Sequence, residues 1–170
     1  MTPDLFWIPT ATPGRLAIAA RPRGGDWLAD EVAGWRHAGI NVVVSMLTPD
    51  EDAELELTEE GNSCVAAGIE FVALSVPDRE VPSADDGFAE VVADAAEAIR
   101  EGATVAVHCR QGIGRSAVFA VAVLKTLGWS TDTAVRAASA ARGRSVPETR
   151  EQLAWLQRFT PTQLAATGTP

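Results

Sequence analysis

The sequence predicts an α/β domain, a central and partly parallel sheet with helices on both faces. Strand-like and helix-like segments alternate along most of the chain, the order that builds parallel pairs. The run Val42-Val43-Val44 lies in a segment without polar alternation, as expected of a strand buried on both faces. The helix-like segment 117–127 is apolar nearly all round, which marks it as buried at the centre.

Residues 5–9 and 16–20 read as short strands, separated by the turn-rich Thr10-Ala11-Thr12-Pro13-Gly14. Asp26 can cap a helix running to about residue 38, with Leu28, Val32 and Trp35 on one face and Gly39 closing it. The valine strand follows over 41–47. Thr48-Pro49-Asp50-Glu51 opens a helix with Glu51 in the capping-box position. A further helix over 58–67 carries Cys64, and a strand covers 69–74. The long helix 83–100 takes Ser83 as its cap and Asp85 and Asp86 in its first turn, and ends before Gly102. A strand over 104–107 precedes the apolar helix, which Gly128 ends. Helices over 131–141 and 146–159 complete the pattern. Ser145 and Glu148 make a capping box for the last one, with Pro147 early in it. Residues 1–160 are expected to form one domain and 161–170 a loose tail, with no repeat or internal linker.

A chain of 170 residues, 46% hydrophobic and 22% charged, has the composition of an ordinary globular domain and is long enough for a full core. Its net charge of −9 argues against nucleic acid or an acidic membrane as partner, since both favour basic surfaces. Positive potential is expected only near Arg110 and Arg115, with Arg79, Arg142 and Arg144 nearby. Such a small basic funnel suits a compact anion. Met1-Thr2-Pro3-Asp4 lacks the basic start of a secretory signal, and the apolar run 117–124 is too short to span a bilayer. With two cysteines, Cys64 and Cys109, the expectation is a reduced, cytoplasmic protein. Cys64 reads as a small buried helix residue, with a resolving role towards Cys109 as the alternative. Every basic residue but Lys125 is Arg and Ala is abundant, which suggests a high-GC bacterial genome.

The chemistry is concentrated in His108-Cys109-Arg110-Gln111-Gly112-Ile113-Gly114-Arg115-Ser116. A strand leads in and a helix leads out. A tight loop between them turns successive backbone N–H groups inward, and the helix N-terminus adds partial positive charge. A Cys at the start of that loop sits in a field that favours its thiolate. Arg115 supplies a planar fork that can clamp two oxygens of a phosphate-sized anion. Phosphoryl transfer to such a nucleophile also needs a proton for the leaving oxygen. Upstream, Ser75-Val76-Pro77-Asp78-Arg79-Glu80-Val81-Pro82 follows a strand and offers Asp78 between two prolines. Glu80, Asp85 and Asp86 are the competing carboxylates, and an ordinary turn role is the plain alternative for Asp78.

The nine-residue stretch resembles the phosphate-binding loop of the protein tyrosine phosphatase superfamily, which reads His-Cys, five residues, Arg, then Ser or Thr. The resemblance extends over about residues 5–160, to the compact dual-specificity or cyclin-dependent-kinase-associated phosphatase-like branch. It implies a phosphatase-type P-loop between a central strand and a buried helix, and metal-independent hydrolysis of a phosphomonoester without a cofactor. On it, Cys109 is the nucleophile of a phosphocysteine intermediate, Arg115 the phosphate clamp and Asp78 the general acid and then base. Ser116 hydrogen-bonds the sulfur and helps it leave. Arg110, Gln111, Gly112, Ile113 and Gly114 give loop N–H groups, their side chains lining the mouth. His108 orders the loop from behind, and Gln152 stands near the hydrolytic water, with a solvated helix face as its alternative.

The substrate expected is a phosphorylated protein or peptide, phosphotyrosine first and phosphoserine or phosphothreonine if the pocket is shallow, acted on by a monomer. Inositol-lipid phosphatases of the superfamily usually carry Lys in the loop, and Arg110 to Gly114 contain none. RNA phosphatases of the same fold sit poorly with an acidic body. A non-catalytic phosphoprotein-binding module predicts loss of Cys109, Arg115 or Asp78, yet all three are present. Rhodanese-type sulfur transfer does not call for the Arg115-Ser116 ending. Low-molecular-weight phosphatases carry a similar Cys near the N-terminus rather than at position 109. No clustered ligand spacing for a metal is seen.

Overall fold

The computed structural model describes residues 2–166. Its sheet runs in the order β1 (Leu5–Ile8), β2 (Arg15–Ala19), β5 (Thr104–His108), β3 (Val42–Ser45), β4 (Glu70–Ala73). β1 pairs antiparallel with β2, and all other pairs are parallel. The strand that delivers Cys109 is therefore central, flanked by β2 and β3.

Side chains alternate between the two faces along each strand, so each face has its own apolar cluster. On one face, Leu16, Ile18, Val44, Val105 and Val107 pack with α4 (Phe88–Arg100), α5 (Arg115–Thr126), α6 (Thr131–Arg142) and α7 (Arg150–Arg158). On the other, Ala19, Val43 and Ala106 pack with α1 (Leu28–His37) and α3 (Glu60–Ala66), near the short α2 (Pro49–Glu54). In α5 every residue from Arg115 to Leu124 is buried, which accounts for its all-round apolar pattern. The expected partly parallel sheet covered on both faces is the architecture found.

Several local expectations are corrected. Asp26 lies inside a 3-10 turn, Gly25–Trp27, and makes no side-chain cap for α1. The long helix starts at Phe88 rather than Ser83. Asp86 governs that start: its carboxylate accepts from the backbone N–H of both Ser83 and Phe88, while Gly87 adopts a φ of 75° that a residue with a side chain rarely takes. At the last helix, Ser145 and Glu148 do not form the box. Ser139 Oγ holds Val146 through both its N–H and its carbonyl, and no helix begins there. Thr149 and Gln152 form the capping box instead, and α7 begins at Arg150. The expected tail is fastened where it is described. Arg100 donates to the Ala165 carbonyl at 3.1 Å, and Leu164 packs on the core. Residues 167–170 of that expectation lie outside the described residues. Among the described residues no helix is long and apolar enough to cross a membrane.

Candidate active site

β5 carries the chain to Cys109, and the loop from Arg110 to Gly114 turns into the N-terminus of α5. Two glycines make the turn possible. Gly112 has a φ of 71°, and its N–H reaches Cys109 Sγ at 3.2 Å. Gly114 is packed so closely that a Cβ there would stand 3.0 Å from Glu148 Oε2 and 3.1 Å from Gln152 Nε2. Arg142, from α6, donates to the Gly112 and Gln111 carbonyls and so fixes the loop from outside. Ser116 sits in the first turn of α5, its Oγ 3.2 Å from Cys109 Sγ. The sulfur thus meets a backbone N–H, a hydroxyl and a helix N-terminus together.

Arg115 is fully buried and held from three sides. Its Nη1 donates to the carbonyls of Met46 and Val76 and to Glu51 Oε2, at 3.2, 2.8 and 2.7 Å. Its Nη2 reaches Glu51 Oε1 at 2.8 Å and Asp78 Oδ1 at 3.2 Å. The guanidinium is therefore fork-paired with Glu51, while its buried Nε–H has no hydrogen-bond partner. Burial works against the charge of Arg115. The Glu51 hydrogen bond and the charges of Cys109, Glu51 and Asp78 outweigh it and push its pKa up. The structure brings Asp78 to this guanidinium on a loop whose start is stitched to the end of β3. Ser75 Oγ donates to the Leu47 carbonyl, and Val76 N–H to the Met46 carbonyl. The Asp78 side chain remains 49% exposed, at the open side of the site.

Glu51 is the site residue that sequence reading missed. Its capping-box role is real, since Thr48 and Glu51 bond reciprocally. The same carboxylate also reaches Arg115, sixty-four positions away. Burial raises the Glu51 pKa, but bonds from Arg115 and Thr48 and the charge of Arg115 win, so it lies below its ordinary 4.5. A carboxyl whose folded value is below its unfolded one adds stability above the unfolded value and loses it as pH falls through the folded one. Wild-type thermal stability should therefore fall more steeply than that of Glu51→Gln when pH is taken below about 4.5. Parallel Tm-against-pH curves for the two proteins would deny Glu51 this role.

Other expected residues are placed differently. The His108 ring does not bond the loop. It points to the opposite face of the sheet, where Nε2 lies 2.6 Å from Glu60 Oε1 and the ring stacks on Trp35, and its buried Nδ1 has no partner. The Ile113 side chain packs into the core rather than lining the mouth, as its apolarity dictates. Gln111 is exposed, and Arg110 pairs with Glu54 at 2.8 Å. Arg79 likewise pairs with Glu148 at 2.8 Å, so the expected funnel of positive potential is partly cancelled at its rim by glutamates. Gln152 is buried, its Oε1 accepting from Thr149 N–H and its Nε2 donating to the Glu80 carbonyl. Glu80, Asp85 and Asp86 make no contact with Arg115, and the Asp86 carboxylate is occupied by the Ser83 and Phe88 N–H groups. Cys64 is buried and unbridged, and burial, then the charge of Glu60, pushes its thiol up to about 12. It stays protonated at neutral pH, which weighs against a resolving role. Among the described residues no three His, Cys, Asp or Glu side chains are gathered to hold a metal.

A mixed sheet whose central strand feeds a Cys-x5-Arg-Ser loop into a buried helix, with a carboxylate loop above it, defines a phosphatase-type hydrolase. Residues 39–160 match the family model "Dual specificity phosphatase, catalytic domain", and the chain belongs to that family. No curated protein sequence matches it. Among solved structures, kinase associated phosphatase with its catalytic cysteine replaced by serine superposes with a TM-score of 0.85 at 17% identity, over 94% of each chain. Tk-PTP in its active form has a TM-score of 0.72 at 29% identity, over 94% of this chain and all of that one. TpbA of P. aeruginosa, a Cys-to-Ser form in complex with pTyr, has a TM-score of 0.58 at 23% identity, over 86% of this chain and 80% of that chain.

Proposed function

We propose that the protein hydrolyses phosphotyrosine in protein or peptide substrates through a phosphocysteine formed on Cys109. The observation that carries this reading is the buried, unpartnered Nε–H of Arg115 in a guanidinium otherwise fixed by Glu51, on the loop that opens with Cys109. A phosphoryl oxygen is the acceptor that would complete it, and a buried donor without an acceptor is costly. The Gly112 N–H, which already faces Cys109 Sγ, and the N-terminus of α5 would meet the remaining phosphoryl charge.

In the first step Cys109 Sγ attacks phosphorus, the bond from phosphorus to the phenolic oxygen breaks, and Asp78 gives that oxygen its proton. Asp78 Oδ1 touches Arg115 in this structure. A phosphoryl dianion takes over that part of the fork and leaves Asp78 beside the leaving oxygen. In the second step Asp78, now a carboxylate, takes a proton from water as the water oxygen attacks phosphorus. Cys109 leaves as thiolate, with Ser116 Oγ donating to it. Each polar end of the Gln152 amide makes one bond, to Thr149 N–H and to the Glu80 carbonyl, which leaves one N–H and one lone pair for a water. A protein substrate is supported by the pTyr complex of TpbA and by the absence of Lys from Arg110 to Gly114.

Hydrolysis of 4-nitrophenyl phosphate, with a chelator and a reductant present, tests the activity. Phosphotyrosine, phosphothreonine and inositol-lipid substrates in the same assay rank the classes. Phosphotyrosine should lead, and a lipid ranked first would overturn the proposed substrate. Asp78→Asn should slow phenyl phosphate, a poor leaving group, by about 10²- to 10⁴-fold, and 4-nitrophenyl phosphate much less. Equal slowing of both would remove Asp78 from the acid role.

A further inference from the structure

Resting on that reading, we propose that Glu148 is a positioning residue that latches the Asp78 loop over the phosphate loop by way of Arg79. Pro77 to Glu80 form a tight turn closed by the Glu80 N–H to Pro77 carbonyl bond, with Arg79 at its third position. Arg79 has a φ of 65° there, in the left-handed region that this turn position normally gives to Gly or Asn. An Arg kept at a conformational cost points to use of its side chain. That side chain donates from Nη1 to Glu148 Oε1 at 2.8 Å, across sixty-nine positions of sequence. The other carboxylate oxygen, Oε2, lies against Gly114, within 3.0 Å of where a Cβ would stand. One side chain thus touches both the residue next to Asp78 and the loop that carries Cys109. Gln152 repeats the arrangement at the backbone, bonding the Glu80 carbonyl while packed on the same glycine.

The latch is built to open. Arg79 is 63% exposed and Glu148 20%, so the pair is solvated and weak. When it breaks, the turn tip that carries Asp78 keeps only the Gln152 bond to Glu80 and the contact of Asp78 with Arg115, and it is held less firmly. Glu148 touches no reacting atom, and its effect passes through Arg79 and the position of Asp78.

The test uses the full chain as wild type, Arg79→Gln, Glu148→Gln and the double variant. Hydrogen exchange of the backbone amides over residues 76–82 reads the latch without any need for turnover. Both single variants should exchange faster there and no faster elsewhere. In kinetics, each should lower kcat for phenyl phosphate by about two- to fivefold, the range of an exposed ion pair, with KM and the rate on 4-nitrophenyl phosphate little changed. The double variant should match a single one, because both remove the same contact. Unchanged exchange over 76–82 would overturn the latch whatever the activity. Faster exchange with equal rates on both esters would overturn its service to the acid, and multiplying effects would show that the two residues act separately. Absence of any Cys109-dependent hydrolysis in wild type would instead overturn the proposed function and leave the exchange result to judge the latch.

Discussion

Cys109→Ser is expected to abolish turnover while leaving anion binding intact. Gly112 N–H, Ser116 Oγ and the start of α5 all face the sulfur. Sulfur is a far stronger nucleophile than an alkyl hydroxyl oxygen, so the variant lacks an effective nucleophile at neutral pH. The substitution removes one atom's chemistry and little volume. The loop amides and Arg115 remain, and with them the site for a phosphate or tungstate ion. Loss of turnover by a factor on the order of 10⁴ or more is expected, equivalent to about 5.5 kcal/mol of barrier. Steady-state assay together with calorimetric titration of tungstate checks both halves. Retained turnover would show another nucleophile, and lost binding would show that the serine disturbs the loop.

Arg115→Ala is expected to lose both turnover and anion binding, and to destabilise the fold as well. Unlike the cysteine, this residue is structural. Its guanidinium supplies the partners of Met46 and Val76 carbonyls and of the Glu51 carboxylate in a buried setting. Removing it leaves the Glu51 charge with only its Thr48 bonds, and breaking a largely buried ion pair in this way costs up to about 3–5 kcal/mol. For a domain of this size the melting point should drop on the order of 10 °C. Arg115→Lys would keep the charge but not the fork, so it should recover part of the stability and little of the binding. The second variant matters because a fall in binding from Arg115→Ala alone could come from collapse of the loop. If Arg115→Lys binds tungstate as wild type does, the clamp role is wrong.

The contrast between these variants shows what can be read from sequence. The nucleophile loop is local. Its strand, glycines, Arg115 and Ser116 lie within a few positions of one another, and backbone geometry alone brings them together. Contacts across the chain were not legible. Glu51 reads as a helix cap from its spacing to Thr48, and nothing nearby reveals that its carboxylate also turns to Arg115. Glu60 seals His108 from forty-eight positions away, on the face of the sheet that strand alternation assigns to residue 108. That alternation was available in the sequence, and it separates the His108 ring from the phosphate loop. The failed caps at Ser83 and Ser145 share one cause. A short hydroxyl side chain suits many starts, and other local side-chain bonds, from Asp86 and Thr149, set the starts instead. The strand order, with β5 central, follows from the parallel connections more than from any single residue.

The central claim is covalent transfer of the phosphoryl group to Cys109. Acid quenching of wild type during steady-state turnover of a phenyl phosphate ester, followed by peptide mass spectrometry, reads it directly. The expected result is phosphate on the peptide that carries Cys109, absent from Cys109→Ser and longer-lived when Asp78→Asn slows the second step. Turnover that proceeds with no phosphate trapped on Cys109 in either wild type or Asp78→Asn, or with phosphate trapped on another residue, would contradict it.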